Sequence, residues 1–250
     1  MTSKWIFKIK HATYGSIKKY KSIFVAQGLS HIEGVDYEET FALVVRYTSI
    51  RAIIVIASIM GWKLHQMDVK IAFLNGVIEE EVYIQQPQGF EIHGKESHVC
   101  RLKKALYGLK QEPMAWYSRI NGYLLHLGFT KSEADLNLYY KVEDGDILIL
   151  VLYVDDFFMT REEKLISKCK RELTFEFEMK DLSLLHYFLR LEVWQRPGET
   201  FLNQGKYIVD IFHRFVMMDY NPIATPMEDN LNKLREFTSD SDLVDPTMYR

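Results

Sequence analysis

The chain contains 250 residues, and its 48% hydrophobic content is enough for a folded core and excludes a disordered chain. A net charge of −3 excludes a domain that is basic throughout, as many nucleic-acid-binding domains are. The apolar runs at residues 52–60 and 147–154 are far shorter than the roughly 18 to 20 residues of a membrane span, so we expect a soluble intracellular protein without membrane partners. Cys100 and Cys169 lack CxxC spacing and predict neither a zinc site nor a disulfide framework.

The N-terminal segment is rich in lysine and predicts a β-hairpin. Residues 4–10 and 17–26 carry strand-forming side chains in partial alternation, and a turn is expected at Tyr14-Gly15-Ser16. The first 32 residues contain six lysines and no acid, and Lys19 and Lys21 share one face of the second strand. A solvated lysine face is the ordinary interpretation, and the functional alternative is a hairpin that holds phosphates.

The next segment predicts a helix and then a strand that ends in a carboxylate. Residues 28–39 are expected to form a polar connection, and residues 48–60 a largely buried helix. The strand spans residues 62–69 and places Asp68 at its far end. A short helical turn at residues 72–76 follows, which brings an aromatic side chain within about one turn of the carboxylate.

A second basic cluster lies in the middle of the chain. It follows short predicted strands at residues 82–85 and 99–102 and precedes a helix that Pro113 opens and Gly128 ends. The cluster consists of Arg101, Lys103, Lys104 and Lys110, with Tyr107 among them. Basic residues interleaved with an aromatic suit a nucleic-acid backbone and a stacked base, although a solvated loop explains them equally well.

The C-terminal part of the chain predicts three further elements. These are an amphipathic helix at residues 161–179, a hairpin at residues 186–195 and 200–202, and a helix at residues 206–216. The first of these helices has Phe175 and Phe177 among its apolar residues. The last 34 residues are acidic and rich in turn-forming residues.

Two adjacent carboxylates interrupt a buried apolar strand. Residues 147–154 form a short apolar run typical of such a strand, and Asp155 and Asp156 follow it directly. Neighbouring side chains of a strand point to opposite faces, so both acids can serve one site only at a hairpin tip. The alternative is a plain turn, but this tip lacks glycine and has aromatic residues on both sides. These features favour a rigid base that presents acid to a divalent cation.

Asp68 is the third candidate carboxylate, because it ends an apolar-flanked strand as Asp155 does. Three carboxylates on adjacent strand ends would hold two Mg²⁺ ions, with Mn²⁺ as the alternative, and waters or substrate phosphates would complete the coordination. Paired ions of this kind activate an attacking hydroxyl and stabilise a leaving pyrophosphate. With the lysine hairpin as a triphosphate site, the residues alone predict a metal-dependent nucleotidyl transferase.

The ordered set of motifs along the chain is far more specific than an Asp-Asp pair. The set comprises Lys4-Trp5, Tyr37-Glu38-Glu39-Thr40-Phe41-Ala42, Gln66-Met67-Asp68-Val69-Lys70, Ala72-Phe73-Leu74-Asn75-Gly76, Leu106-Tyr107-Gly108-Leu109-Lys110-Gln111, Ala115-Trp116-Tyr117, Tyr153-Val154-Asp155-Asp156, Glu178-Met179-Lys180-Asp181-Leu182 and Ala224-Thr225-Pro226-Met227. It resembles the reverse transcriptase domain of copia-type LTR retrotransposons. The resemblance runs nearly from end to end of the chain.

The resemblance implies an α+β right-hand polymerase with a ferredoxin-like palm sheet. The fingers would comprise residues 1–60 and 77–112, the palm residues 61–76 and 113–185, a partial thumb residues 186–216, and a truncated acidic connection residues 217–250. The implied partners are dNTPs, an RNA or DNA template with its primer, and other Pol modules such as RNase H and integrase. An active element would place the protein in cytoplasmic virus-like particles.

The resemblance also implies a role for each candidate residue. Asp68, Asp155 and Asp156 would be catalytic and would bind both metals together with the carbonyl of Val69. Phe73 would be the steric gate that excludes a ribose 2′-hydroxyl. The other nucleotide-binding residues would be Lys8, Lys10, Lys21, Tyr107, Gly108, Lys110 and Pro113. The primer and template would contact Tyr153, Arg101, Lys103 and Lys104.

The chain departs from the family pattern at several positions. Ile23 stands where a basic residue is usual, Met114 where Arg is usual and Leu43 where Pro is common. Glycine is usual at four further positions, which here carry Arg161, Ser183, Arg190 and Val216. A lost glycine forces strain wherever φ must be positive. The competing hypotheses are therefore an active RNA-directed DNA polymerase and a non-catalytic remnant that at most binds nucleic acid. Cyclase-like nucleotide chemistry would leave the fingers motifs without a purpose.

Overall fold

A computed structural model describes residues 1–11, 16–27, 45–78 and 80–220. Several predictions lie outside the described residues: positions 14 and 15 of the first turn, the polar connection at 28–39, Leu43, and residues 221–250 of the acidic segment. The chain divides into two compact units. The first comprises Met1–Leu185 with Arg196–Glu199, and the second comprises His186–Gln195 with the residues from Thr200 onward.

The described chain mixes helices and strands, as the sequence predicts. The strands are β1 (Ser3–His11), β2 (Ile17–Ala26), β3 (Lys63–Val69), β4 (Tyr83–Gln85), β5 (Val99–Arg101), β6 (Thr130–Lys131), β7 (Leu138–Glu143), β8 (Asp146–Tyr153), β9 (Asp156–Arg161), β10 (Met179–Leu184), β11 (Tyr187–Phe188), β12 (Leu191–Arg196) and β13 (Glu199–Asn203). The helices are α1 (Tyr47–Ile59), α2 (Glu112–His126), α3 (Glu163–Glu176) and α4 (Gly205–Arg214), with a short 3-10 helix at Ala72–Asn75. None of these helices is long and apolar enough to cross a bilayer.

A six-stranded antiparallel sheet organises the first unit. Its strand order is β10-β3-β9-β8-β7-β6, so the β8–β9 hairpin lies beside β3 in the centre. The consecutive residues 150–152 of β8 and 157–160 of β9 are buried on both faces of the sheet, which explains the continuous apolar runs there. Buried residues of α2 and α3, among them Trp116 and Leu173, form one core with residues from β3, β7, β8 and β9.

Two predicted elements in this unit need correction. Helix α1 was expected to be largely buried, but Val55, Ile56 and Ile59 are exposed and only one face packs inward. The helix predicted for residues 161–179 begins later and ends at Glu176, with Phe175 91% exposed. Its predicted last residue, Met179, instead begins the unpredicted strand β10, which pairs with β3. Local patterns missed β10 because its conformation depends on a partner strand more than 100 residues away in sequence.

The hairpin of β1 and β2 has two chemically different faces. Directly opposite residues share a face, and the register sets Lys8 against Lys21 and Lys10 against Lys19. The opposite face carries Trp5, Phe7, Ile9, Tyr20 and Phe24. Like charges placed opposite each other are unfavourable, so the four exposed ammonium groups form a surface that an anion would stabilise.

The second unit contains a three-stranded sheet of order β11-β12-β13 together with α4. The predicted hairpin about Pro197-Gly198 is confirmed as β12 and β13. Its first strand is shorter than predicted, because β11 pairs separately with β12. The helix predicted for residues 206–216 is confirmed as α4.

The strain expected from the missing glycines is present in the backbone. Ser183, Arg190 and Val216 have φ values of 64°, 67° and 54°, which residues with a side chain rarely adopt. Such a conformation costs about 1–2 kcal/mol per residue. Arg161 also has a positive φ, but at 156° it is closer to extended backbone.

Candidate active site

The three predicted carboxylates lie at one end of the six-stranded sheet. Strands β3 and β9 are antiparallel, and their register makes Asp68 and Asp156 direct partners. In the β8–β9 hairpin Tyr153 pairs with Asp156, so Val154 and Asp155 are the two turn residues. Direct partners project from the same face of the sheet. The structure therefore brings Asp68 and Asp156 together and places Asp155 beside them, exposed at the tip.

The turn that carries Asp155 is strained and firmly held. Only the first turn residue, Val154, has a positive φ, 56°, which is the sign pattern of a type II′ turn that normally has glycine there. The indole Nε1 of Trp116 donates a hydrogen bond of 2.6 Å to the Val154 carbonyl oxygen. The amide of Val69 donates a hydrogen bond of 2.8 Å to the Asp155 carbonyl oxygen. These hydrogen bonds fix the tip against β3 and α2 despite the unfavourable conformation of Val154.

Negative charge accumulates at this end of the sheet. Burial raises the pKa of Asp156 to about 6, and the charges of Asp155 and Asp68 contribute to the increase. A hydrogen bond of 3.0 Å from Nε2 of Gln66 to Oδ1 of Asp156 opposes it. Burial first, and mutual repulsion second, therefore disfavour the charged forms of Asp156 and Asp68. A divalent cation would supply the missing positive charge.

The pKa of Asp68 is affected both by burial and by lysines of the β1–β2 hairpin. Burial raises this pKa, and the charge of Asp155 raises it further. The ammonium groups of Lys180, Lys10 and Lys21 act in the opposite direction. Two lysines of the β1–β2 hairpin are thus close enough to Asp68 to affect its ionisation.

The three carboxylates supply the type of ligand that magnesium sites use. Among the described residues, no group of three or more His, Cys, Asp or Glu side chains is arranged so that it could hold a metal ion. Mg²⁺ is commonly bound through only one or two carboxylates and keeps waters or substrate phosphates as its other ligands. Asp68, Asp155 and Asp156 offer such carboxylate oxygens, and a cation would stabilise the charged forms of Asp68 and Asp156, whose pKa values burial raises. The resemblance adds the carbonyl of Val69.

Two aromatic residues predicted to bind the nucleotide contact each other near the acids. The rings of Phe73 and Tyr107 meet edge to face with their centroids 5.7 Å apart. Burial raises the pKa of Tyr107, and the charges of Glu112, Asp155 and Asp68 raise it further. The Tyr107 side chain therefore lies within electrostatic reach of the carboxylates.

Gly108 has a packing role that the sequence did not reveal. Its φ is +93°, and a Cβ atom there would overlap the carbonyl oxygen of Ala26 at the end of β2. The amide of Ala26 also donates a hydrogen bond of 2.7 Å to the carbonyl of Tyr107. Only glycine permits this close approach between the loop and the hairpin.

The lysine face contains two of the three predicted phosphate ligands opposite each other. Lys8 lies across from Lys21, and Lys10 lies across from Lys19, which was not among the predicted ligands. All four are exposed. Ile23, which stands where the family usually has a basic residue, is on the same face and pairs with Ile6 of β1.

Of the remaining predicted residues, Tyr153 adjoins the acids and the others are less closely connected to them. Pro113 lies in the first turn of α2, and Lys110 is half-buried just before it. Tyr153 pairs directly with Asp156 at the end of the hairpin. Arg101 forms an exposed ion pair of 3.0 Å with Glu81, and Lys103 and Lys104 are exposed nearby in sequence. None of the described contacts joins these three basic residues to the carboxylates.

Three residues with clear effects on the site were not predicted to belong to it. Trp116 appears in the sequence only as part of a family motif without a role at the site, yet its indole holds the turn. Gln66 could have been found, because strand alternation places it on the same face as Asp68. Glu112 could not, because its burial beside residues 108 and 109 depends on the loop conformation.

Comparisons with known proteins agree with this architecture. Residues 1–229 match the family described as reverse transcriptase (RNA-dependent DNA polymerase). The chain is 40% identical over 248 residues to the retrovirus-related Pol polyproteins from transposons RE1 and RE2 of Arabidopsis thaliana. These matches cover 99% of this chain but only 17% of each relative. The Pol polyprotein from transposon TNT 1-94 of Nicotiana tabacum is 38% identical over 232 residues, which are 91% of this chain and 18% of that protein.

The fold and the match over most of the sequence define the class. The chain belongs to the reverse transcriptase family. Within that family, its sequence groups with copia-type retrovirus-related Pol polyproteins. It spans less than a fifth of the length of these relatives.

Proposed function

We propose that this chain is an RNA-directed DNA polymerase that transfers nucleotides from dNTPs to a primer 3′-hydroxyl on an RNA or DNA template. The observation that carries the proposal is the convergence of Asp68, Asp155 and Asp156 at one end of the sheet. Their uncompensated charge and the nearby lysines suit a metal-bound triphosphate. Family membership supports the same reaction.

The proposed polymerase has the parts of a right hand. The β1–β2 hairpin would belong to the fingers, the six-stranded sheet would form a ferredoxin-like palm, and the second unit would be the start of a thumb. Two observations support this assignment. The sheet is antiparallel and carries acids at the tip of its central hairpin, and two helices pack with it into one core.

Each group at the site has a proposed task. Bound Mg²⁺ ions would activate the primer hydroxyl and stabilise the leaving pyrophosphate. Asp68, Asp155 and Asp156 would hold these ions, and the amide of Gln66 orients Asp156 for this purpose. The lysine face of the β1–β2 hairpin would bind the triphosphate. Phe73, whose ring meets that of Tyr107 edge to face, would lie under the sugar and exclude a 2′-hydroxyl.

Template-primed incorporation of dNTPs with Mg²⁺ or Mn²⁺ tests the proposal. The wild-type domain should extend the primer, and Asp155→Asn should reduce the rate by at least about a hundredfold. Asp144→Asn is a matched control, because this exposed carboxylate lies in the turn at the other end of β8 and Asn tolerates its positive φ. A folded wild-type domain with no more activity than Asp155→Asn would contradict the proposal.

The role of the lysine face is tested by the salt dependence of template-primer binding. Each lost phosphate contact should lower the slope of log K against log salt by about 0.7 to 0.9. The double variant Lys10→Ala with Lys21→Ala should therefore show a shallower slope. Lys95→Ala with Lys164→Ala removes two exposed lysines elsewhere and should not. Equal slopes for both double variants would exclude the lysine face as a phosphate site.

One observation favours the alternative of a non-catalytic remnant that at most binds nucleic acid. Ser183, Arg190 and Val216 adopt positive φ at positions where the family usually has glycine. Their combined strain would lower the stability of a domain whose acids are intact. The incorporation assay distinguishes the two functions, provided that circular dichroism shows a folded sample.

The size of the relatives bears on the biological setting. They are Pol polyproteins several times longer than this chain. We propose that the domain acts beside further Pol modules, including RNase H and integrase, in a cytoplasmic virus-like particle. Fractionation of cells that express the complete reading frame would test this setting, and a domain found only outside particles would contradict it.

A further inference from the structure

The loop formed by residues 106–109, between β5 and α2, connects three parts of the first unit. The carbonyl of Tyr107 accepts the amide hydrogen of Ala26 at the end of β2. The ring of Tyr107 meets Phe73 edge to face. Gly108 lies so close to the Ala26 backbone that no side chain fits between them. A displacement of this loop would therefore move the Tyr107 ring away from Phe73.

Glu112, in the first turn of α2, holds the loop through its carboxylate. Its Oε2 accepts the amide hydrogen of Gly108 at 2.6 Å, and the backbone of Leu109 also hydrogen-bonds to the carboxylate. The side chain is only 7% exposed. Within the described part of the chain, backbone amides rather than a cation compensate its charge.

This arrangement is unfavourable for Glu112 itself. Burial raises its pKa to about 7, although the two backbone hydrogen bonds act in the opposite direction. A carboxylate without a cation is an expensive side chain to bury. Its contribution is to satisfy amide groups of the loop, and a Gln side chain offers a neutral acceptor of nearly the same shape.

We infer that Glu112 is a positioning residue for nucleotide selection. It fixes residues 106–109 so that Tyr107 supports Phe73, the proposed steric gate. The inference rests on the proposed polymerase function. Loss of the acceptor should loosen the gate and admit ribonucleotides, whereas the aspartates should still support incorporation of dNTPs.

Two measurements on the purified domain test the inference. Glu112→Leu removes the acceptor, Glu112→Gln keeps one, and Ser118→Ala changes an exposed residue of the same helix. Amide hydrogen exchange of Gly108 should accelerate about tenfold or more in Glu112→Leu and remain close to wild type in the other two. The ratio of kcat/KM for a dNTP to that for the matching rNTP should fall about tenfold in Glu112→Leu alone, with kcat for the dNTP within about threefold of wild type.

The outcomes separate this inference from the proposed function. Unchanged exchange in Glu112→Leu overturns the inference whatever the activity. Faster exchange with an unchanged dNTP to rNTP ratio also overturns it, because the residue would then be structural only. A wild-type domain that incorporates nothing refutes the proposed function, and exchange alone then decides whether Glu112 holds the loop. If Glu112→Leu does not fold, Glu112→Ser provides the same comparison, because its side chain is too short to reach Gly108.

Discussion

Two valines have nearly the same unfavourable φ angle in very different surroundings. Val154, in the turn between β8 and β9, has φ of 56°, and Val216, after the end of α4, has φ of 54°. The carbonyl of Val154 accepts a hydrogen bond from Trp116, and the next carbonyl accepts one from the amide of Val69. Val216 is 77% exposed, and among the described residues the hydrogen bond of its amide goes to its own helix, at the carbonyl of His213.

The hydrogen bonds at the end of α2 can be compared with those at the end of α4, where Val216 lies. At its end the amides of Gly128 and Phe129 donate to the carbonyls of Leu125 and Leu124, each at 3.0 Å. At the end of α4 the amides of Val216 and Met217 make the same two bonds, to His213 and Phe212 at 3.2 and 2.7 Å. Glycine forms this motif without steric penalty. The strain at Val216 therefore adds no hydrogen bond, whereas the strain at Val154 positions Asp155.

The largest effect should come from removing the support of the strained turn. Trp116→Phe removes the hydrogen-bond donor to the Val154 carbonyl. Because Trp116 is fully buried, the smaller ring also leaves a cavity in the core. We expect a loss of about 2–3 kcal/mol in the free energy of unfolding and at least about a tenfold loss in kcat. Urea denaturation and primer extension at a temperature where the variant stays folded would measure both.

Trp194→Phe is the matched control for this substitution, because Trp194 is 57% exposed. It should change the free energy of unfolding by less than about 0.5 kcal/mol. If Trp116→Phe retained wild-type kcat, the indole hydrogen bond would not be what positions the aspartates. The strain at Val154 would then have no demonstrated role in activity.

The second prediction concerns Gly128, which follows the end of α2 as Val216 follows the end of α4. Gly128→Val should destabilise the domain by about 1–2 kcal/mol, because Gly128 has φ of 84°. There is room for a Cβ atom, whose nearest neighbour would be Cε of Lys141 at 3.7 Å, so the effect should be conformational. Gly122→Ala, in the middle of the same helix with open space around it, should instead stabilise by about 0.5–1 kcal/mol. Thermal unfolding that ranks these two variants in the opposite order would contradict the argument.

Local sequence signals predicted most of this fold. Pro113 and Gly128 correctly framed α2, and the apolar run before Asp155 correctly predicted β8. Short-range patterns were sufficient there, because helix-ending residues and the spacing of apolar residues determine local structure within a few positions. Strand β10 and the exposed face of α1 were missed, because they depend on which surfaces meet in the folded chain.

The candidate site divides in the same way. Asp68 and the Asp155-Asp156 pair could be chosen from their positions at strand ends, and their proximity follows from the pairing of β3 with β9. The indole of Trp116 reaches a carbonyl 38 residues away, and no local pattern predicts that contact. Family resemblance, rather than periodicity, identified the positions of lost glycines, and the positive φ of Val216 gives that observation its physical meaning.

The third prediction concerns charge strain at the site. The pKa of Asp156 in the folded protein is about 6, above its ordinary value of 3.8, so the folded state binds this proton more tightly than the unfolded state. The resulting penalty is absent below about pH 4, grows as the pH rises from 4 to 6, and is complete above pH 6. Without divalent cations, Asp156→Asn should therefore stabilise the domain by about 1–2 kcal/mol at pH 8 and very little at pH 4.

Thermal unfolding at both pH values, with and without Mg²⁺, would measure this effect. Mg²⁺ should raise the Tm of the wild type at pH 8 more than that of Asp156→Asn, because the ion compensates the same charge. Asp144→Asn again provides the control for a change at an exposed turn. Equal stabilisation of Asp156→Asn at pH 4 and pH 8 would show that the carboxylate charge is not the cause.

The smallest expected effect is that of Val216→Gly, and it tests the comparison of the two valines most directly. Val216→Gly should relieve about 1–2 kcal/mol of backbone strain, and the greater freedom of glycine in the unfolded chain should offset about half of it. We expect slower amide exchange throughout α4, by a factor of about two to five, and unchanged incorporation of dNTPs. Val209→Gly makes the same change in the exposed interior of α4, where glycine should accelerate exchange because φ there is already helical. If both variants accelerated exchange, the left-handed conformation of Val216 would not be a source of instability, and the resemblance between the ends of α2 and α4 would be geometrical only.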